Sequence, residues 1–475
     1  MKTKKNAVPR VCALAAALCL LCGCAGGPEP PNSGAGVTTG TDAAVATTLP
    51  ESTDGSEQQT VPTTAIATEP TGNPATEPTD NPATDPTTAP TSAPTSAADP
   101  DPIVLEWLNA QQAYASRRYG GVACPRMLTL QNGTILCAFD ANDTQGGNGI
   151  IKVIQSTDGG NSWQGTNKAT ENAVMQRNDQ MIYANPSLFQ LDNGDVLVAY
   201  RGLSAGSGVK NSGLFVSVSH DNGVTWSTHS TILSYNQHDG GVYEPCLVEI
   251  DGTPTVFYAN DSVAAAGETV GTGVVGGNHQ PAVTSLAYQN IEYMQWDGSQ
   301  WGNRTIACNG ANSGSRDGMP GVTQLQDGSW MLAYEANNTR GTYPFILRYK
   351  ISEDGLNWDT APGTGNGTAF CIADTEGRKT SGPALATLPD GRVVCVFQTD
   401  QDASQAGDSN SALRLMISES ADPADGWGEW MDVFSTPDGN SSVWNGVALS
   451  GNQLFVLTST NYPSNSIYIR RAVWE

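Results

Sequence analysis

Pro125-Arg-Met-Leu-Thr-Leu130, Gly133 and Ile135-Leu-Cys-Ala-Phe139 form a unit that the chain repeats. A proline opens an apolar run, a glycine turn follows, and a second apolar run returns. The same order stands at Pro186 to Leu191, Gly194 and Val196 to Tyr200. It recurs at Pro245 to Ile250 with Gly252 and Thr255 to Tyr258, and at Pro320 to Leu325 with Gly328 and Trp330 to Tyr334. Pro383 to Leu388, Gly391 and Val393 to Phe397 make a fifth copy. The sixth has Trp444 where proline is expected, then Leu449, Gly451 and Leu454 to Leu457. The turn glycines recur about every sixty residues, with one longer interval between Gly252 and Gly328. A hairpin at that period fits four-stranded blades set around an axis. Six copies predict an all-β, six-bladed β-propeller. The long interval predicts an insertion after blade three, over Val263 to Val283.

A second signature lies between these hairpins. Ser156-Thr-Asp158-Gly-Gly160-Asn-Ser-Trp163 and Ser219-His-Asp221-Asn-Gly223-Val-Thr-Trp226 share one spacing. Ser352-Glu-Asp354-Gly355-Leu-Asn-Trp358 is one residue shorter, and Asp297-Gly298-Ser-Gln-Trp301 is more degenerate. The chemistry is that of a turn: Asp accepts backbone N–H groups, Gly takes a positive φ, and Trp packs the outer hairpin onto its blade. These segments resemble the Asp-box repeats of sialidase-like propellers. Their acids are structural, not catalytic, candidates.

The flanking chain has a different composition. Residues 1–24 read as an export signal: Lys2, Lys4, Lys5 and Arg10 precede an apolar run from Val11 to Leu21, too short to span a bilayer. Leu21-Cys22-Gly23-Cys24 resembles a bacterial lipobox, which makes Cys24 the expected lipidation site. Residues 25–100 are rich in Thr, Pro and Ala and contain an eight-residue period, ATEPTGNP, ATEPTDNP and ATDPTTAP, from Ala67 to Pro90. With almost no large apolar residues, such a segment builds no core and reads as a disordered, extended stalk. Residues 101–475 form the globular domain. The expected setting is the cell surface of a bacterium, with the lipid as the only membrane contact and the protein a monomer.

Charge and cysteine usage exclude several classes. The chain of 475 residues carries a formal net charge of -24, so nucleic acid and anionic membrane surfaces are poor partners. Four of the ten cysteines lie in the leader, and none of the other six shows CxxC spacing. Zinc binding therefore has no support, and the six read mainly as small buried hydrophobes. No metal and no cofactor is expected.

The blade end opposite the glycine turn collects the chemistry. There the residues before each proline stand beside those seven after each turn glycine. Asp140, Asn185, Arg201, Glu244, Glu335 and Gln398 fall on this end, with Arg126, Arg316, Asp317 and Asp400 nearby. Two carboxylates flanking one bond are the minimum for glycoside hydrolysis, one protonating the leaving oxygen and the other attacking or activating water. Glu244 and Glu335, from the third and fourth hairpins, are the expected pair. Arg126, Arg201 and Arg316 are expected to contact sugar, and Asp140 and Asp317 to orient an arginine or the sugar.

Arg316-Asp-Gly-Met-Pro-Gly-Val322, Gly241-Val-Tyr243-Glu244-Pro245, Tyr334-Glu335 and Phe397-Gln398-Thr-Asp400 resemble glycoside hydrolase family 93, the exo-α-1,5-arabinanases of the sialidase-like superfamily. Asn185-Pro186 and Trp444-Asn445-Gly446 fit more weakly. The resemblance covers most of Ala123 to Ala448. It implies a retaining enzyme with Glu244 as acid/base and Glu335 as nucleophile, releasing arabinobiose from linear arabinan. It adds Tyr243 and Trp444 to the expected sugar contacts, although the family often has Trp where Tyr243 stands. An exo-sialidase, with Arg126, Arg201 and Arg316 around a carboxylate, and a non-catalytic oligosaccharide-binding lipoprotein are the alternatives.

Overall fold

The computed structural model describes residues 102–116, 121–141, 149–165, 172–175, 181–204, 211–235, 241–260, 269–270, 273–274, 289–310, 315–337, 345–359, 368–369, 378–405 and 410–475. The leader, Cys24, the stalk and most of the Val263 to Val283 insertion lie outside the described residues, as does Cys371.

Six small antiparallel sheets follow one another along the chain, as the repeat predicts. Blade one comprises Val122–Thr129, Ile135–Ala141, Ile150–Ser156 and Asn172–Met175. Blade two comprises Met181–Gln190, Val196–Ser204, Ser212–Ser219 and Ser227–Tyr235. Blade three comprises Val242–Ile250, Thr253–Asn260, Asn290–Trp296 and Trp301–Cys308. Blade four comprises Arg316–Gln324, Trp330–Asn337, Ile346–Ser352 and Thr368–Ala369. Blade five comprises Thr380–Thr387, Val393–Thr399, Ala412–Ile417 and Met431–Phe434. Blade six takes Ser442–Ser450, Gln453–Thr460 and Ser466–Val473, and Glu106–Trp107 and Gln111–Ala115 pair with its last strand. The two ends of the domain are thus laced into one sheet.

The first strand of each blade packs against the first strand of the next, and that of blade six returns to blade one. These strands line the axis. Middle strands are covered by neighbouring blades on both faces, which is why Ile135 to Phe139 and Val393 to Phe397 are unbroken apolar runs with no exposed surface. Six apolar clusters each span a seam between two blades. Leu136, Val153, Val196 and Tyr200 fill the seam between blades one and two. Phe139, Cys137, Phe455 and Ile469 fill the seam that closes the ring. Cys124, Cys137, Cys246, Cys308 and Cys395 are free thiols, four of them buried, in keeping with their reading as small hydrophobes.

The Asp boxes cap the third-to-fourth strand turns at the glycine-turn end. Asp158 Oδ1 accepts from the N–H groups of Asn161 and Ser162, both at 2.9 Å, and Ser156 Oγ accepts from Gly160 N at 2.9 Å. Trp358 Nε1 donates to Gly355 O at 2.9 Å, locking ring to turn. A further box, unrecognised in the sequence, stands in blade five at Ser418 to Trp427, where Ser418 and Trp427 form an isolated bridge like that of Gln155 and Gln164. Extra residues and Gly426 directly before Trp427 hide its spacing. The insertion lies inside blade three, between its second and third strands, not after the blade. Its described part is a pair of two-residue strands, Thr269–Val270 and Gly273–Val274.

Candidate active site

Proline is tolerated in a central strand only where the ladder is broken. The inner strands of blades one to five are each broken at their proline. The register jumps between Ala123 and Arg126, Ala184 and Ser187, Tyr243 and Cys246, Gly318 and Gly321, and Ser381 and Ala384. At every jump the residue before proline is left-handed: Cys124, Asn185, Glu244, Met319 and Gly382 have φ of 53°, 54°, 57°, 51° and 60°. Only Gly382 adopts this freely, and each of the others costs about 1–3 kcal/mol. Such bulges re-aim side chains, here towards the axis at one end of the ring.

Blade six corrects the sequence reading by one residue. Its jump runs from Val443 to Gly446, and Trp444, with φ of 57°, is the bulged residue. Asn445, not Trp444, fills the proline slot, and Ser459 rather than Thr458 faces Val443. The reason is a turn glycine one place early, in Ser450-Gly451-Asn452-Gln453.

A bulge deprives the bulged residue's N–H of its ladder partner, and at four of the six bulges the preceding blade supplies a replacement. Gln398 Oε1 accepts from Trp444 N at 2.9 Å and Glu335 Oε2 from Gly382 N at 3.1 Å. Asp140 accepts from the backbone of Asn185. Between blades three and four the corresponding residue is Ala259, whose side chain offers no acceptor. There Glu244 reaches across, and its Oε2 accepts from Met319 N at 2.7 Å. Glu244 and Glu335 are thereby pinned by consecutive bulge amides, though one sits on a bulge and the other opposite one.

Gly318 adjoins both of them. A Cβ built there would stand 3.5 Å from Glu244 Oε2 and 3.5 Å from Glu335 Oε1. The two oxygens are therefore no further apart than twice that distance. That bound admits the separation of a retaining pair. Both carboxyls are buried, at 7% and 2% exposure. Burial raises Glu335 from 4.5 to about 7, the neighbouring Glu244 charge adds to the rise, and Arg316 and Lys379 oppose it. Burial also raises Glu244, against Arg316, the Met319 N–H, Arg201 and Arg126. Like charges this close favour one shared proton. Arg316 favours ionisation of both carboxyls, Arg201 and Arg126 that of Glu244, and Lys379 that of Glu335.

The other expected site residues divide. Arg126, Arg201 and Arg316 all act electrostatically on Glu244. Arg126 Nη1 also donates to Pro125 O and Asn445 O at 2.9 and 2.8 Å, bracing blades one and six. Arg201 stacks on Tyr243 at 4.9 Å, and Arg316 on Phe345 at 5.5 Å. Asp140 and Asn185 adjoin Cys124, with Asn185 Nδ2 3.1 Å from its sulfur. Trp444 packs with Ala123, Cys124 and Met319 into an apolar cluster at the bulges. Gln398 donates to Ser381 Oγ at 3.0 Å, and Asp400 accepts from Lys379 N at 2.9 Å, so both brace blade five. Asp317 turns away from the pair. It is fully buried, accepts from Ser315 Oγ at 2.5 Å, and feels Lys350 and Arg348 rather than either glutamate. Gly318, Lys379 and the amides of Met319 and Gly382 were missed. A backbone amide leaves no sequence signal, but Gly318 is the one glycine among the six residues that precede a bulged one.

No family model and no curated protein matches the chain. Among solved structures, the α-L-arabinanase of Penicillium chrysogenum complexed with arabinobiose aligns at 18% identity, over 78% of this chain and 98% of its own, with a TM-score of 0.52. The chain folds like an α-L-arabinanase. The GH93 α-L-arabinofuranosidase of Fusarium graminearum with arabinobiose aligns at 17% identity over 78% and 98% of the two chains, with a TM-score of 0.54. A protein of unknown function from Dyadobacter fermentans aligns at 14% over 78% and 99%, with a TM-score of 0.55. The arabinanase-like fold agrees with the predicted six-bladed architecture.

Proposed function

We propose that the chain is a glycoside hydrolase that cleaves α-1,5-linked arabinan or arabino-oligosaccharides, exo-acting and with retention, through Glu244 and Glu335. The carrying observation is the pair of buried carboxylates adjoining Gly318, each pinned through one oxygen. One carboxylic acid protonates the departing glycosidic oxygen while the other, ionised, attacks the anomeric carbon. Water then attacks the glycosyl-enzyme, giving its proton to the first carboxylate. A raised pair sharing one proton supplies both states near neutral pH. Tyr243, Arg201, Arg316 and Trp444 are the proposed sugar contacts. The arabinobiose bound by the structural neighbours supports the choice of sugar.

The test is incubation of the purified chain with linear arabinan, arabino-oligosaccharides, xylan and sialyllactose, with chromatography of products. Release of arabinobiose, lost in Glu244→Gln and Glu335→Gln, supports the reading. Release of sialic acid would move it to a sialidase, which the three guanidiniums around Glu244 favour. Sugar binding without any product would make the protein a capture lipoprotein. Azide rescue assigns the roles on an activated aryl arabinoside. The nucleophile variant yields the inverted glycosyl azide and the acid/base variant the retained one. Export and a lipid on Cys24 are proposed from the sequence, and loss of palmitate labelling in Cys24→Ala checks them.

A further inference from the structure

Gly318 stands opposite Glu335 in the ladder of blade four. Directly opposed residues point their Cβ atoms to the same side of a sheet. The same position in the other blades carries a side chain: Ala123 opposite Asp140, Ala184 opposite Arg201, Tyr243 opposite Ala259, Ser381 opposite Gln398 and Val443 opposite Ser459. Only blade four leaves it empty, and there a Cβ would meet one oxygen from each of two carboxylates. Backbone geometry does not demand the glycine, because Gly318 is not among the positive-φ residues. Nor does packing, because the three nearest atoms lie at 3.5, 3.5 and 3.7 Å, ordinary contact distances. Gly321, on the same strand, differs: a Cβ there would meet Pro383 O at 3.0 Å, so it is a glycine required by the blade seam.

We infer that Gly318 is a positioning residue whose missing side chain holds open the gap between the two carboxylates where the anomeric carbon sits. A methyl group there would touch both oxygens at the distance an attacked carbon needs, and would exclude the sugar ring. It would also displace water from between the carboxyls, making their ionisation harder. The inference rests on the proposed hydrolase reading for its substrate, but the second effect needs no substrate.

The experiment compares the full chain with Gly318→Ala and Gly321→Ala. For each, kcat/KM on arabino-oligosaccharides and the thermal midpoint from pH 4 to 9 are measured. Gly318→Ala is expected to melt within a few degrees of the parent and to lose at least about 100-fold in kcat/KM. The loss of stability with rising pH should begin at the same pH as in the parent but run to a higher pH, so that its midpoint moves upward. Gly321→Ala is expected to melt lower with that midpoint unmoved. Gly318→Ala keeping kcat/KM within about threefold, or failing to fold, would overturn the inference. If the parent cleaves none of the sugars, the function reading fails, and the pH shift alone decides: an unmoved midpoint in Gly318→Ala overturns the inference.

Discussion

Acids at the two ends of the blades are treated in opposite ways. At the Asp-box end, Asp354 accepts N–H groups from Asn357 and Leu356 and is held down to about 2, and hydrogen bonds from Ser162 and Ser156 depress Asp158 further. These turns lie at the surface, where water screens the charge and donors are plentiful. At the bulge end, burial raises Asp140, Glu244 and Glu335. Each of the last two is held by one bulge amide while its ionised form is disfavoured. One end uses carboxylates to stabilise the fold. The other holds them against their ionisation, a cost in stability that functional sites commonly carry.

The largest effect that sharpens this contrast is on turnover. Glu244→Gln and Glu335→Gln should each lower kcat on arabino-oligosaccharides by about 10³-fold or more, within the range for lost acid–base groups. Asp158→Asn should leave kcat within about twofold. Equal losses at both ends would erase the distinction.

Stability should run the other way. Unfolded Glu335 ionises near 4.5 and the folded residue near 7, so the folded state binds more protons between these values. Its contribution to stability therefore falls as pH rises from 4.5 to 7. At pH 8, Glu335→Gln should melt several degrees above the parent, and at pH 4 the gain should vanish. The Asp boxes have the opposite sign. Their depressed acids stabilise the fold above the ordinary Asp range, and that support is lost as pH falls towards about 2. Asp354→Asn should lower the melting point by a few degrees at pH 7, in line with about 1 kcal/mol per lost hydrogen bond. Calorimetry across pH checks both.

The contrast was half legible in the sequence. Asp-box chemistry is local, and a Ser, Asp, Gly and Trp at fixed spacing names its own turn. Blade five escaped because its turn is longer and its glycine abuts Trp427. The repeat placed Glu244 and Glu335 at one end, since proline and turn glycine mark the two ends of each hairpin. It did not show that the prolines mark left-handed bulges, because φ is not written in side-chain type when the bulged residue is Cys, Asn, Glu, Met or Trp. Nor did it separate Asp317 from Arg316. Neighbours in a strand face opposite sides, and Asp317 enters the seam with Lys350 while Arg316 faces the glutamates.

The smallest expected effect probes the amide pinning. Ala259→Gln supplies blade three with the acceptor that Gln398 provides in blade five, and the introduced side-chain carbonyl should compete with Glu244 for the Met319 amide. One limb of the kcat/KM profile, the acidic one if Glu244 is the ionised partner and the basic one if it is the acid, should move up by a few tenths of a pH unit. An unmoved limb would mean that Met319 N–H does not hold Glu244 in solution.

Proton NMR of arabinotriose hydrolysis, recorded from the first turnovers, tests the paired-carboxylate mechanism most directly. Initial release of the α-anomer by the parent, and no release by Glu244→Gln or Glu335→Gln, is the expected result. Initial release of the β-anomer, or undiminished hydrolysis by either variant, would contradict a retaining pair at Glu244 and Glu335.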